Sequence, residues 1–147
     1  MALVWDDSLS IGDGEIDHDH KILLELANRI LSAAQLNAEK EALAILIGEY
    51  IDYTAIHFSH EECLMMRLDY PNKDEHIAAH SAFFERLCIL ISAFKRNEVG
   101  ARNKMTALFA TYTFNHIVTF DRDLADWCHQ HHPHEGIGGR RKGDAVG

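Results

Sequence analysis

The chain has 147 residues, 47% of them hydrophobic, the size of one ordinary domain with enough apolar surface to bury its own core. Its 23 acidic residues outnumber 14 basic ones, and the formal net charge of -9 argues against nucleic acid or an anionic membrane surface as a partner. The amino terminus lacks a basic segment followed by an apolar run, and no stretch is expected to reach bilayer-spanning length, so the reading is of a protein with no membrane insertion, kept in the cytoplasm.

In chain order, an irregular leader containing Gly12 and Gly14 precedes Ile22, Leu23, Leu26, Ala27, Ile30 and Leu31, whose spacing predicts a first helix from about Asp19 to Gln35. Asn37 is the expected cap of a second helix, with Glu39 and Glu41 in its first turn. Its stripe runs from Leu43 through Tyr50, His57, Glu61 and Leu64 to Leu68, ending before Pro71. Asn72 and Glu75 have the spacing of a capping box for a third helix, whose face holds His76, His80, Phe83, Leu87, Leu90, Ile91 and Phe94. A polar stretch from Lys95 to Asn103 containing Gly100 precedes the fourth stripe, Met105, Leu108, Phe109, Tyr112, His116, Phe120, Leu124 and Trp127, which ends near Pro133. Four amphipathic helices with short connections predict an all-α, antiparallel up-down-up-down four-helix bundle over residues 1–134. The glycine-rich segment 135–147 is expected to be a disordered tail.

Histidine is the compositional outlier, with 11 copies. His57 and Glu61 are four residues apart, as are His76 and His80, so each pair shares a helix face. Either pair alone is more often a surface pair or a packing contact. Both, however, lie on apolar stripes, where an uncompensated imidazole or carboxylate loses hydration and demands a partner. His20 and His116 occupy the stripes of the remaining helices, so each helix can point a nitrogen into one layer. Asp121 completes the set. It is five residues from His116, a rotation of about 140° on an ideal helix, so both can face the core only across a π-type turn or bend between Ile117 and Asp121. Seven ligands exceed the four of a tetrahedral zinc and imply two metals. If Glu61 and Asp121 both bridge, together with a solvent oxygen, three histidines complete one ion and two leave the other with an open position. Nitrogen and oxygen donors without thiolate suit iron above manganese or zinc.

His20, His57-x-x-x-Glu61, His76-x-x-x-His80 and His116-x-x-x-x-Asp121, preceded by Trp5-x-x-Ser8-x-x-x-Gly12 and Ile16-Asp17, resemble the ligand set and lead-in of bacterial hemerythrins from about Trp5 to Cys128. The resemblance implies a non-haem centre of two oxo- or hydroxo-bridged iron ions. In it His76, His80 and His116 hold one iron, His20 and His57 hold the other, and Glu61 and Asp121 bridge. It implies reversible binding of dioxygen for transport, storage or delivery rather than an enzymatic role. An oxygen-consuming protein or a reductase is the expected protein partner. Two other readings use the same ligands: a di-iron redox enzyme reducing nitric oxide or peroxide or serving iron repair, and an oxygen or redox sensor acting through a partner protein. The paired Glu-x-x-His motifs of carboxylate-rich oxygen-activating enzymes do not occur here.

Bacterial members usually carry Trp-Leu-x-x-His before the fourth-helix histidine, where this chain has Tyr112-Thr113-Phe114-Asn115-His116. Tyr112 and Thr113 are therefore candidates for an oxygen pocket more polar than usual, if their hydroxyls face the open iron. Phe58 and Ile117, each next to a ligand, are candidates for its apolar wall. Leu124 stands where the family often has tyrosine. His18 and His60 are expected to face solvent, and the cluster His129, His131, His132 and His134 is assigned no function. Cys63, Cys88 and Cys128, odd in number and set in apolar sequence, are expected to be buried free thiols.

Overall fold

The computed structural model describes residues 3–10 and 14–133. The predicted disordered tail, 135–147, and His134 lie outside the described residues. A short 3-10 turn, Asp7–Leu9, leads into α1 (Gly14–Gln35), α2 (Lys40–Arg67) and α3 (Lys73–Lys95). The fourth helical rod consists of α4 (Ala101–His116), a π-helical turn at Ile117–Asp121 and α5 (Arg122–His131). Among the described residues there is no strand.

Helix α1 starts five residues before its predicted beginning. Glu15 and Asp17 complement the dipole of its first turn, and Ile16, His20, Leu23, Leu24, Ala27 and Ile30 are buried along one face. Its end corrects the reading of Asn37 as a cap for α2. Asn37 has φ 53° and closes α1: its N–H donates to the Ala34 carbonyl, and the Ala38 N–H to the Ala33 carbonyl. These are the two bonds of a Schellman motif, and Asn tolerates the left-handed conformation better than most residues. Asp69 and Asn97 end α2 and α3 in the same way, with φ 53° and 57° and the equivalent bonds to Met66, Met65, Phe94 and Ala93. A second correction concerns the capping box: Asn72 does precede α3, but its side chain makes no capping bond.

Each helix packs against its two ring neighbours, α1 on α2 and α4, α3 on α2 and α4. Short connections reverse the chain between them. At one end of the bundle Lys40 Nζ donates to the Lys95 carbonyl and Asn97 Oδ1, and Arg102 donates to the Ala38 carbonyl, bringing the starts of α2 and α4 to the ends of α1 and α3. The arrangement is therefore the predicted up-down-up-down bundle.

Among the described residues two large apolar clusters fill it, beside a small third one of Leu9, Leu24 and Ile117. The larger contains Ala27, Ile30, Leu43, Tyr50, Phe83, Leu87, Met105 and Phe109, and the smaller contains Ile16, Leu64, Met65, Tyr70, Leu124, Ala125 and Cys128. Each fully buried Leu, Ile or Phe among them contributes about 1.5–3 kcal/mol through removal from water. On α1, α2 and the fourth rod, His20, Glu61, His116 and Asp121 fall in sequence between residues of the two clusters, and His57 directly precedes Phe58 of the larger one. The layer of candidate ligands is thus closed by hydrocarbon above and below.

Three further expectations are corrected. Cys63 and Cys88 are exposed and only Cys128 is buried, because each of the first two lies one or two residues from a buried stripe residue and so turns about 100° or 200° away from the core. Phe120 is partly exposed rather than buried, since the π turn rotates it outward. Finally, α3 at 23 residues is long and apolar enough by length and composition to cross a membrane, although its inner face carries His76, His80, Phe83 and Leu87 into the bundle.

Candidate metal centre

All seven predicted residues meet in one layer and are almost completely buried: His20, His57, Glu61, His76, His80, His116 and Asp121. His57 and Glu61 come from adjacent turns of α2, and His76 and His80 from the first two turns of α3. His116 closes α4. The π turn at Ile117–Asp121 adds one residue to the helical repeat, so that a five-residue separation performs as four does on a regular helix. His116 Nε2 accordingly lies 3.1 Å from Asp121 Oδ1.

The donor atoms fall into two groups that share both carboxylates. One comprises Glu61, His76, His80, His116 and Asp121, and the other His20, His57, Glu61 and Asp121, each group with its donor atoms within 4.8 Å of one another. Glu61 divides its oxygens between them: Oε1 is 2.9 Å from His57 Nε2, while Oε2 is 3.2 Å from His80 Nε2 and 3.3 Å from His76 Nε2. Asp121 does the same, with Oδ2 2.8 Å from His20 Nε2 and Oδ1 3.2 Å from His76 Nε2. Within the three-histidine group the Nε2 atom of His116 is 3.2 Å from that of His76 and 3.1 Å from that of His80.

The donor set fits a pair of metal ions. Imidazole nitrogens bound at about 2.1 Å place neighbouring donors of an octahedron about 3.0 Å apart, close to the contacts observed. His20 Nε2, His57 Nε2 and all four carboxylate oxygens of Glu61 and Asp121 are buried without a hydrogen-bond partner, even though several of them are within 3 Å of one another. Atoms that approach without aiming at each other are converging on a common point. Uncompensated burial of this many polar atoms costs a few kcal/mol for each group, which ligation of a cation would offset.

Without a cation the charges adjust to one another. Burial opposes protonation of His57, but the attraction of Glu61 and the contact with Asp19 raise its pKa well above 6.5. Burial also opposes protonation of His76, yet its contacts with Asp121 and Glu61 raise it to about 9. Burial and the neighbouring Asp121 push Glu61 upward, and His57 and His76 outweigh them and hold it well below 4.5. Asp121 is raised by burial and lowered further by His116, His20 and His76, ending well below 3.8.

The far nitrogens of three imidazoles have partners that sequence spacing did not reveal. His57 Nδ1 is 3.0 Å from Asp19 Oδ2, and Asp19 Oδ1 accepts from the Tyr53 hydroxyl at 2.6 Å. His80 Nδ1 is 2.8 Å from Glu62 Oε1, and His116 Nδ1 is 3.0 Å from the Tyr112 hydroxyl. The Asp19 and Glu62 contacts cross between helices, so periodicity within one helix carries no sign of them; only their adjacency to His20 and Glu61 was visible.

Of the pocket candidates, Phe58 stacks face to face on His80 with ring centroids 3.6 Å apart, and Ile117 packs with Leu9 and Leu24, the latter one turn beyond His20. The Thr113 hydroxyl donates to the Phe109 carbonyl and pairs with the Tyr50 hydroxyl at 2.6 Å, and Tyr112 is engaged with His116. His18 and His60 are exposed, as are His129 and His131. Among the described residues, the two groups of donors able to hold a metal are both in the core.

An all-helical bundle whose core gathers five imidazoles around two shared carboxylates defines a metal-binding four-helix protein. The family profile of the Hemerythrin HHE cation binding domain matches residues 12–135, and the chain belongs to the hemerythrin family. It is 33% identical over 129 residues to a bacteriohemerythrin of Stenotrophomonas maltophilia, covering 88% of this chain and 83% of the relative. A bacteriohemerythrin of Pseudomonas paraeruginosa is 36% identical over 125 residues, covering 84% and 80%. One from Clostridium acetobutylicum is 25% identical over 131 residues, covering 84% and 98%. No solved structure gave a match.

Proposed function

We propose that this chain holds two iron ions and binds dioxygen reversibly, as a carrier, store or local source of oxygen. The observation that carries the reading is the unequal division of imidazoles around shared carboxylates: His76, His80 and His116 gather with Glu61 and Asp121 in one group of donors, and only His20 and His57 gather with the same two carboxylates in the other. His76, His80 and His116 would complete one ion, while His20 and His57 leave a position open on the other. Bound iron would supply reversible electron transfer to dioxygen at that position.

The protein's own contribution is to orient and to exclude. Asp19 fixes the ring of His57 from behind, and Glu62 that of His80, which holds each Nε2 lone pair toward the centre. Phe58 and Ile117 wall the layer with hydrocarbon, and the two apolar clusters close it above and below, so water has little access to carry away reduced oxygen. The Tyr112 and Thr113 hydroxyls are turned to protein partners, which makes the oxygen pocket less polar than their presence in the sequence suggests. Free thiols exposed at Cys63 and Cys88 suit a reducing bacterial cytoplasm, where an oxygen-consuming protein or a reductase would be the protein partner.

The test is a visible absorption spectrum of the iron-loaded, reduced protein, cycled between oxygen and nitrogen with the iron counted. A charge-transfer band that comes and goes with oxygen at about two irons per chain is the expected result. Prompt, irreversible conversion to the ferric form would replace this reading with a redox enzyme or sensor.

A further inference from the structure

Tyr112 occupies a place where the family resemblance leads one to expect tryptophan, and its hydroxyl is used. The side chain lies one helical turn before His116, with the two rings nearly parallel, centroids 5.0 Å apart and planes inclined by 23°. Its other neighbour is Phe83, stacked at 3.8 Å with an inclination of 21°. This stacking limits both the translation and the tilt of the phenol. The hydroxyl then sits 3.0 Å from His116 Nδ1.

His116 Nε2 faces Asp121 and the two imidazoles of α3, so its lone pair belongs to the centre and the ring proton belongs on Nδ1. The Nδ1–H donates and the phenol oxygen accepts. His57 and His80 have carboxylates in the corresponding role, whereas His76 Nδ1 and His20 Nδ1 have no hydrogen-bond partner. Tyr112 is thus the neutral member of three outer partners, and it serves the histidine contributed by the fourth rod.

We propose that Tyr112 is a positioning residue of the metal centre, holding His116 in the tautomer and ring orientation that present Nε2 to the three-histidine half. This rests on the metal-binding reading above. A partner that accepts from the far nitrogen makes the imidazole a better donor to the metal, and losing such a partner typically weakens metal binding by about tenfold to a hundredfold. A better donor also favours the oxidised ion, so removing the hydroxyl raises the midpoint potential of the iron pair.

Tyr112→Phe deletes the acceptor and keeps the ring. Tyr112→Trp keeps a stacked aromatic but offers only an N–H donor, so it tests the same point should the phenylalanine variant pack poorly. Tyr50→Phe is the control: it removes a more deeply buried hydroxyl, paired with Thr113 on the same helix as Tyr112 and hydrogen-bonded to no candidate ligand. Cobalt(II) affinity is measured against a chelator for each, followed by the midpoint potential of the iron-loaded forms. Both Tyr112 variants are expected to bind cobalt at least about tenfold more weakly, with a raised potential, while Tyr50→Phe binds as the unmodified chain does. Cobalt affinities and potentials of the Tyr112 variants indistinguishable from those of the control would overturn the proposal. Cobalt binding involves no dioxygen, so irreversible oxidation in the oxygen-cycling experiment would remove the carrier reading and leave this one standing.

Discussion

Glu61 turns Oε2 to His76 and His80 and Oε1 to His57, and Asp121 turns Oδ1 to His76 and His116 and Oδ2 to His20, so a single atom change at either reaches both halves of the layer. Asp121→Asn keeps the shape of the side chain but replaces one oxygen with an NH2 group that has no lone pair to offer a metal. Bound metal should fall from about two ions per chain to about one or fewer by elemental analysis, and retention of both ions would show that Asp121 does not bridge. Phe58 acts differently, by packing. It is buried and stacked on His80, so Phe58→Ala should cost about 3–5 kcal/mol in denaturant unfolding of the metal-free protein. The candidate ligands themselves were legible at this scale because a His or Glu on an apolar stripe loses its hydration on burial, and a cation would replace it for several of them together. Asp19, Glu62 and Tyr53 were not, since their roles depend on which helix face lies opposite.

Among the elements, the π turn at Ile117–Asp121 was readable from one number, the five-residue gap between two side chains that both had to face the core. If the turn is a one-residue insertion in an otherwise regular rod, deleting the exposed Thr119 should restore α-helical spacing and leave Asp121, Leu124 and Cys128 on the same face. The far-ultraviolet circular dichroism spectrum and cooperative unfolding should then survive the deletion. Collapse to a non-cooperative state would mean that the turn is required for the fold. The helix ends were less legible. Asn37 was read as a start because Asn favours both caps and left-handed turns, and only the bonds to Ala33 and Ala34 separate the two. With φ at 53°, Asn37→Ala should destabilise the protein by about 1 kcal/mol and Asn37→Gly should not, as compared by midpoints of urea unfolding.

For the molecule as a whole, the metal layer couples stability to pH in opposite senses with and without metal. In the metal-free protein His57 and His76 have raised pKa values, so their stabilising contribution is complete below 6.5 and is lost as pH rises, that of His76 through about 9 and that of His57 at a pH well above 6.5. Glu61 and Asp121 are lowered, so theirs is present above their ordinary values of 4.5 and 3.8 and is lost as pH falls further. Metal-free protein should therefore melt at a lower temperature near pH 9 than near about pH 6. Ligation requires neutral imidazoles, so metal affinity should rise over the same range. At metal concentrations about a thousandfold above the dissociation constant the loaded form gains about 4 kcal/mol, and its melting temperature should exceed that of the metal-free form by roughly 10 °C. Equal melting temperatures would mean that the layer is stable without a cation. By itself the sequence determined four helices, their order around a bundle and seven inward-facing candidate ligands, because these follow from periods of three and four residues along single helices. Only the tertiary structure decided how each carboxylate divides its oxygens, which groups stand behind the imidazoles and which cysteines reach the surface. Those features depend on the rotation and height of one helix against its neighbours, and that is fixed by packing of the two apolar clusters rather than by any pattern within one segment.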